Sequence, residues 1–263
     1  MDDQLLLSEI LRYQNGNINY RTDIIIRENS LTLKINGLEI ATLACLDDKL
    51  EELGVGFLNT EGVINGLQDL KEFKLCNKRT RLDVRITRSE EELREYMQNS
   101  ERTTGCGGGV SGVMIEKEMR QFSDLSIDPD RIPDLMLKFQ NQSVLFRQTG
   151  GVHSAALIKD TDIFSFAEDI GRHNAVDKVI GTALLEGRKA SDFYLLTSGR
   201  ISSEIVRKAI RLQIPLIISQ AAPTSRAVSL AWQYGIYLIG FARGTRFNIY
   251  TGLHKISRIS GRS

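Results

Sequence analysis

The chain has 263 residues, 41% of them hydrophobic, with 34 basic against 33 acidic side chains and a formal charge of +1. That length is ample for a sizeable core in one large domain or two small ones, the charge balance offers no bulk basic field for nucleic acid, and no apolar run approaches membrane-spanning length. The cysteines, Cys45, Cys76 and Cys106, are an odd and sparse set that makes neither a disulfide framework nor a close-spaced zinc site; with an acidic start, Met1-Asp2-Asp3-Gln4, that lacks the basic flank of a signal peptide, they predict a soluble cytoplasmic protein.

Residues 21–45 predict strands. Ile24-Ile25-Ile26 is β-rich, Leu31, Leu33 and Ile35 alternate with polar residues, and Asn36-Gly37 is a hairpin turn signal. Asp47 is placed to cap a helix through Leu50, Leu53, Phe57 and Leu58 that stops near Glu61-Gly62. Leu82, Val84 and Ile86 alternate with Arg81, Asp83 and Arg85 as a further half-buried strand. The first half therefore reads as a small α+β unit with antiparallel strands. Asp128-Pro129-Asp130 punctuates the middle and leads into a helix from Arg131 to about Gln140. Beyond it, strands are predicted at 154–158 and 162–167, a helix at 174–185, a strand at 193–196, a helix at 201–212, a strand at 215–219, a helix at 224–234, and closing strands at 236–241 and 247–250. Short apolar strands alternating with helices predict an α/β layered domain.

Two features carry chemistry. The first is Gly105-Cys106-Gly107-Gly108-Gly109, a thiol on a stretch with almost no other side chains. Glycine opens backbone conformations closed to other residues, so such a segment presents a sulfur atom rather than packing a core; the bland alternative is a glycine-rich turn that happens to carry a cysteine. The second is a set of strand-to-helix junctions, at Asp169-Ile170-Gly171-Arg172-His173, Ser198-Gly199-Arg200 and Ala222-Pro223-Thr224-Ser225-Arg226. Helix starts present free N–H groups and partial positive charge, which suit anions, and ligands of open α/β sheets favour the carboxyl ends of strands. Arg172, Arg200 and Arg226 are placed to line one crevice for a phosphate-bearing ligand. Against this, each hydroxyl residue has ordinary N-capping as its alternative and Asp169–Arg172 a structural ion pair. His153 and His173 lie beside glycines at element boundaries. No Gly-x-x-x-x-Gly-Lys-Ser/Thr or Gly-x-Ser-x-Gly motif is present, which excludes a P-loop nucleotidase and argues against a serine hydrolase.

Six ordered segments together resemble the formate dehydrogenase accessory sulfurtransferase (FdhD) family: Gly56-Phe57-Leu58-Asn59-Thr60-Glu61-Gly62-Val63-Ile64, Arg102-Thr103-Thr104-Gly105-Cys106-Gly107, Thr149-Gly150-Gly151-Val152-His153-Ser154-Ala155-Ala156, Glu168-Asp169-Ile170-Gly171-Arg172-His173-Asn174-Ala175-Val176-Asp177-Lys178, Ser198-Gly199-Arg200, and Gly240-Phe241-Ala242-Arg243-Gly244-Thr245-Arg246. The resemblance implies a cytidine-deaminase-like α/β domain over residues 104–263 with a smaller N-terminal α+β subdomain over 1–103. It implies that Cys106 takes persulfide sulfur from a cysteine desulfurase and passes it to the molybdenum or tungsten bis-guanine-dinucleotide cofactor of formate dehydrogenase. It further implies that Phe241, Ala242, Arg243, Gly244, Thr245 and Arg246 bind that cofactor, that no zinc is held, and that the protein is a homodimer. The chain departs from the family pattern at Gly109, where many members have a second cysteine, and at Thr245, where relatives often have glycine. A single thiolate suffices to hold a persulfide; the missing neighbour removes the thiol that would resolve it into a disulfide. A hydrolytic deaminase lacks its zinc-binding cysteines here, at Ser198-Gly199-Arg200-Ile201-Ser202-Ser203. A chaperone that binds and delivers the cofactor without sulfur chemistry stays open because of Gly109.

Overall fold

The computed structural model describes residues 4–76, 78–99, 101–102, 110–111 and 128–252. The chain begins with a two-stranded antiparallel ribbon, β1 (Leu5–Gln14) and β2 (Asn17–Ile26). Its turn, Asn15-Gly16, has positive φ at both residues (52° and 84°), the geometry whose twist matches that of the flanking strands. A four-stranded sheet follows, in the order β4-β3-β6-β5, from β3 (Asn29–Ile35), β4 (Leu38–Cys45), β5 (Leu70–Cys76) and β6 (Arg81–Ile86). Asn36-Gly37 turns β3 into β4 with φ of 48° and 91°. The sheet is mixed rather than antiparallel as the sequence suggests, because β3 and β6, distant in the chain, pair in parallel.

Leu31, Leu33 and Ile35 alternate inward from β3 and pack beneath α1 (Leu50–Thr60), whose Leu50, Leu53, Phe57 and Leu58 are buried. Asp47 does not cap this helix: Lys49 holds the N-cap position with φ 49°, and Asp47 instead accepts a hydrogen bond from Arg79 Nε at 2.6 Å. Helix α2 (Glu90–Asn99) leads to two short strands, β7 (Glu101–Arg102) and β8 (Val110–Ser111), which pair antiparallel. The segment that joins them, with Cys106, lies outside the described residues.

The second half is a layered α/β structure. Its helices and strands are α3 (Ile132–Gln142), α4 (Val144–Thr149), β9 (His153–Lys159), β10 (Asp162–Asp169), α5 (Arg172–Leu185), β11 (Tyr194–Thr197), α6 (Ser203–Leu212), β12 (Leu216–Ser219), α7 (Ser225–Tyr234), β13 (Tyr237–Arg243) and β14 (Arg246–Thr251). The sheet order is β10-β9-β11-β12-β13-β14, with β11, β12 and β13 parallel and the outer strands antiparallel to their neighbours. Successive residues point to opposite faces. Leu195, Ile217 and Leu238 pack under α5, α6 and α7, and Leu196, Ile218 and Ile239 pack against Ile132, Leu135, Met136 and Phe139 of α3. Cover on both faces explains the near-continuous apolar runs of the parallel strands.

Helices α1 and α5 join the halves. A Cβ at Gly56 would overlap the Asp177 carbonyl oxygen, and one at Gly181 would overlap the Glu52 carbonyl oxygen, so two glycines set how closely the helices approach. Around this contact lie two buried ionic groups. Asp169 Oδ2 sits 2.8 Å from Lys178 Nζ, with both side chains fully buried, and also accepts the Leu46 amide at 3.1 Å; Asn174 donates to the Ala44 carbonyl at 2.7 Å and to Asp169 Oδ1 at 2.9 Å. Lys208 Nζ lies 2.7 Å from Asp177 and 3.2 Å from Glu61, and Thr60 donates to Asp177 at 2.8 Å. Burial works against the Lys208 charge, but Asp177 and Glu61 outweigh it and hold the ammonium charged.

Candidate functional site at one edge of the six-stranded sheet

Strands β10, β11, β12 and β13 run in one direction, so their carboxyl ends meet the starts of β9 and β14 along a single edge. That edge gathers the junctions singled out in the sequence: His153, Gly171-Arg172-His173, Ser198-Gly199-Arg200, Ala222-Pro223-Thr224 and the turn from Phe241 to Arg246. Hydrogen bonds lace them into one surface. The Ser154 amide donates to Ser198 Oγ at 2.9 Å, and that hydroxyl lies 3.4 Å from His153 Nδ1. Ser219 Oγ donates to the Gly199 carbonyl at 2.7 Å. The Ile201 amide donates to the Ala222 carbonyl at 3.1 Å and the Thr224 amide to the Ile201 carbonyl at 3.0 Å; the Phe241 amide donates to the Ala221 carbonyl at 3.1 Å. Arg243 Nε reaches the Gln220 carbonyl at 2.8 Å.

The edge is electropositive. Burial pushes the His153 imidazole below its ordinary pKa, and the nearby Arg172, His173 and Arg200 push the same way, which keeps that ring neutral amid cations. A Cβ at Gly199 would lie 2.9 Å from Arg172 Cβ, so a glycine there leaves room for the Arg172 stem. Arg172 Nε is buried and has no hydrogen-bond partner among the described residues. Such a donor is suited to an anionic oxygen. Arg172 does not pair with Asp169, whose partner is Lys178. His173 Nε2 lies 3.0 Å from Glu204 Oε2, and that contact holds the Glu204 carboxyl below the usual range. Arg226 stands exposed at the start of α7, where Thr224 caps the helix by accepting the Ala227 amide.

Phe241 is the irregular point of the edge. Its φ is 53°, inside a strand, where the β13–β14 register shifts between Gly240 and Arg243. A bulky residue in left-handed space costs about 1–2 kcal/mol, and such strain persists where the surroundings over-determine it. The bulge leaves the Phe241 ring 39% exposed while Ala242 is buried. Arg243, Gly244, Thr245 and Arg246 are exposed, Gly244 takes φ 55°, and Arg243 and Arg246 pair directly across the hairpin. Like charges directly opposite each other repel, so the turn concentrates positive charge at this end of the edge.

The sequence motifs divide between site and scaffold. Gly56 to Ile64 packs α1 against α5 and does not reach the edge. Glu168 caps α4 by accepting the Leu145 and Phe146 amides at 2.9 Å each, and Asp169, Asn174, Asp177 and Lys178 form the buried links between the halves. Sequence reasoning missed Glu204, whose signal was an acidic residue in the first turn of α6 opposite a histidine. It also missed the His153–Ser198 contact between two strand ends. Among the described cysteines, Cys45 ends β4 and burial pushes its thiol up to about 12, which leaves it inert at neutral pH. Cys76 ends β5 and is half-buried. Cys106 itself falls outside the described residues, so the structure does not place it against the edge. Among the described residues no helix is long and apolar enough to cross a membrane.

A model of the FdhD/NarQ family matches residues 26–257. The chain is 35% identical to the sulfur carrier protein FdhD of Listeria innocua over 254 residues, covering 95% of this chain and 97% of the relative. It is 38% identical to that of Bacillus pumilus over 251 residues (94% and 96%) and 35% identical to that of Bacillus subtilis over 263 residues (97% and 99%). The crystal structure of a proposed formate dehydrogenase accessory protein from Desulfotalea psychrophila superimposes with a TM-score of 0.77 at 25% identity, covering 96% of this chain and 99% of that one. Similarity on this scale, continuous from the second strand to beyond the last, establishes that the chain belongs to the FdhD/NarQ family.

Proposed function

We propose that the protein is a sulfur carrier in formate dehydrogenase maturation, with Cys106 as the atom that carries the sulfur. The observation that bears most weight is the end-to-end similarity to relatives named sulfur carrier protein FdhD, combined with the glycine frame around Cys106. The donor is a cysteine desulfurase holding a persulfide. The Cys106 thiolate attacks the outer sulfur of that persulfide; one S–S bond forms, one breaks, and the desulfurase cysteine leaves as a thiolate, so the exchange is redox-neutral. Cys45, with its thiol raised to about 12, is a poor nucleophile for this step.

The acceptor in this reading is the molybdenum or tungsten bis-guanine-dinucleotide cofactor, handled as cargo on its way to formate dehydrogenase. Its diphosphates suit the electropositive sheet edge. Arg243 and Arg246 flank Gly244 for bidentate phosphate contact, Arg172 Nε offers a donor with no partner among the described residues, and the exposed Phe241 ring supplies a stacking face for a guanine. In this reading the layered α/β domain is of the deaminase-like type that the resemblance implies, put to carriage rather than hydrolysis. Gly109 favours a second reading, a chaperone that delivers the cofactor without sulfur chemistry.

One experiment separates the two. After incubation with a cysteine desulfurase and cysteine, mass spectrometry of the Cys106 peptide is expected to show a gain of one sulfur atom. The Cys106→Ser protein is expected to fold and to bind GDP, to carry no sulfur, and to leave the dehydrogenase inactive. Full client activity with Cys106→Ser rejects the carrier and leaves the chaperone.

A further inference from the structure

Among the described residues, three carboxylates come near the sheet edge from its own elements, and two of them are committed. Glu168 engages both oxygens with the Leu145 and Phe146 amides. Asp169 is fully buried, with Oδ2 on Lys178 and the Leu46 amide and Oδ1 on Asn174 and the Gly171 amide. Glu204, in the first turn of α6, is the third. Its Oε2 lies 3.0 Å from His173 Nε2 and its side chain is 28% exposed. Its Oε1 has no hydrogen-bond partner among the described residues.

This carboxylate sits among cations. The His173 contact first, and then the charges of Arg172 and Lys208, hold it ionised below the usual carboxylate range. His173 is also a neighbour of His153, so Glu204 belongs to the same surface as the ends of the strands. Helix α6 follows β11, and the turn with Arg243 and Arg246 follows β13, two strands further along the sheet. At ordinary strand spacing that is about 10 Å, within the length of one nucleotide. An ionised carboxylate repels a diphosphate, and the ion pair with His173 accounts for Oε2 alone. Oε1 is left for a donor.

We infer that Glu204 reads the base of the guanine nucleotide cargo and selects guanine over adenine, an inference that rests on the cargo reading proposed above. Guanine presents two donors side by side on its Watson–Crick edge, N1–H and the 2-amino group, next to the acceptor O6. A carboxylate accepts both donors in charge-assisted bonds, and the Arg172 and His173 cations beside it suit O6. Adenine presents an acceptor at N1, which a carboxylate repels. Hypoxanthine keeps N1–H and lacks the amino group. Neither of the other contacts chooses a base. A stacking ring such as Phe241 accepts any base, since every base has a π-face, and Arg243 and Arg246 meet the same diphosphate whatever base is attached. Selection therefore falls to the group that meets the base edge, with His173 as the positioning residue that fixes Oε2.

Calorimetric titration of the full chain with GDP, IDP, ADP and pyrophosphate tests this. A hydrogen bond to a charged group is worth a factor of about ten or more, so wild-type protein is expected to bind GDP at least about tenfold more tightly than either IDP or ADP. Glu204→Gln replaces one acceptor oxygen with a donor. It is expected to weaken GDP about tenfold and to bring GDP and ADP within about threefold of each other, because the amide serves either base. Pyrophosphate affinity is expected to change by no more than about twofold, since the carboxylate meets the base and not the phosphates. Circular dichroism checks that the variant is folded, and the wild-type comparison of three bases needs no variant at all. Equal affinity for GDP and ADP or for GDP and IDP in the wild type, or a guanine preference that survives Glu204→Gln, overturns this inference and leaves the cargo reading standing. A wild type that binds no guanine nucleotide overturns both.

Discussion

At the residue scale, Arg243 and Arg246 are set facing each other across a two-residue turn, and the proposed function gives that pair a diphosphate to bind. Each charge-assisted contact to phosphate contributes about 1.5–3 kcal/mol. Replacing both with alanine is therefore expected to weaken GDP binding at least about tenfold in a calorimetric titration, with sulfur loading on Cys106 unchanged. Unchanged affinity moves the nucleotide to the Gly171-Arg172-His173 junction. His153 offers a pH reading of the same edge. Its pKa lies below the ordinary 6.5 through burial first and then its cationic neighbours. Just below pH 6.5 the unfolded chain therefore binds more protons than the folded one, so stability rises with pH through that window. The contribution is complete above the unfolded value and is lost as pH falls. Urea midpoints are expected to drop less steeply on mild acidification in His153→Gln than in the wild type; parallel curves argue against a neutral His153.

At the element scale, the contact between α1 and α5 depends on the absence of side chains at Gly56 and Gly181. Gly56→Ala forces a methyl into a backbone carbonyl, and overpacking of this kind costs about 1–3 kcal/mol. The denaturant midpoint is expected to fall accordingly, with GDP affinity preserved in the protein that remains folded. Elements of this structure differ in how plainly the sequence announces them. The Asn36-Gly37 hairpin and the strand–helix alternation after residue 150 are legible because turn chemistry and periodicity are local. Strand β1 is not, because Leu5-Leu6-Leu7 puts apolar residues on both faces and hides the alternation that Leu7, Leu11 and Tyr13 carry. The parallel β3–β6 pair leaves no local mark at all. Asp47 shows a related limit: its type and position suit an N-cap, but a guanidinium 32 residues away takes its carboxylate. The site follows the same rule. Glycine-flanked junctions are visible one at a time, whereas their meeting at one sheet edge, and the His153–Ser198 and His173–Glu204 contacts, arise only from the strand order.

At the scale of the whole molecule, two cores are held together by charge as well as by packing. Lys208 is buried between Asp177 of α5 and Glu61 at the end of α1. Lys208→Met leaves two carboxylates without their cation, and breaking one side of a buried network costs about 3–5 kcal/mol. The expected result is a large drop in the denaturation midpoint of both halves together, followed by circular dichroism and by Trp232 fluorescence. Loss of one half alone shows that the network does not couple the two cores.

The same links set an order for manufacture on the ribosome. Ala44 and Leu46 find their partners at Asn174 and Asp169, and Thr60 and Glu61 find theirs at Asp177 and Lys208. The amino-terminal third leaves the ribosome long before any of these exists. At elongation rates of about 5–20 residues per second, the α1 face and its two glycines wait several seconds for the helix they were shaped to meet. During that interval the side of α1 that carries Gly56 and later meets α5 stays uncovered. A destabilised α5 prolongs that uncovered interval, so its effect reaches chain synthesis as well as the finished fold.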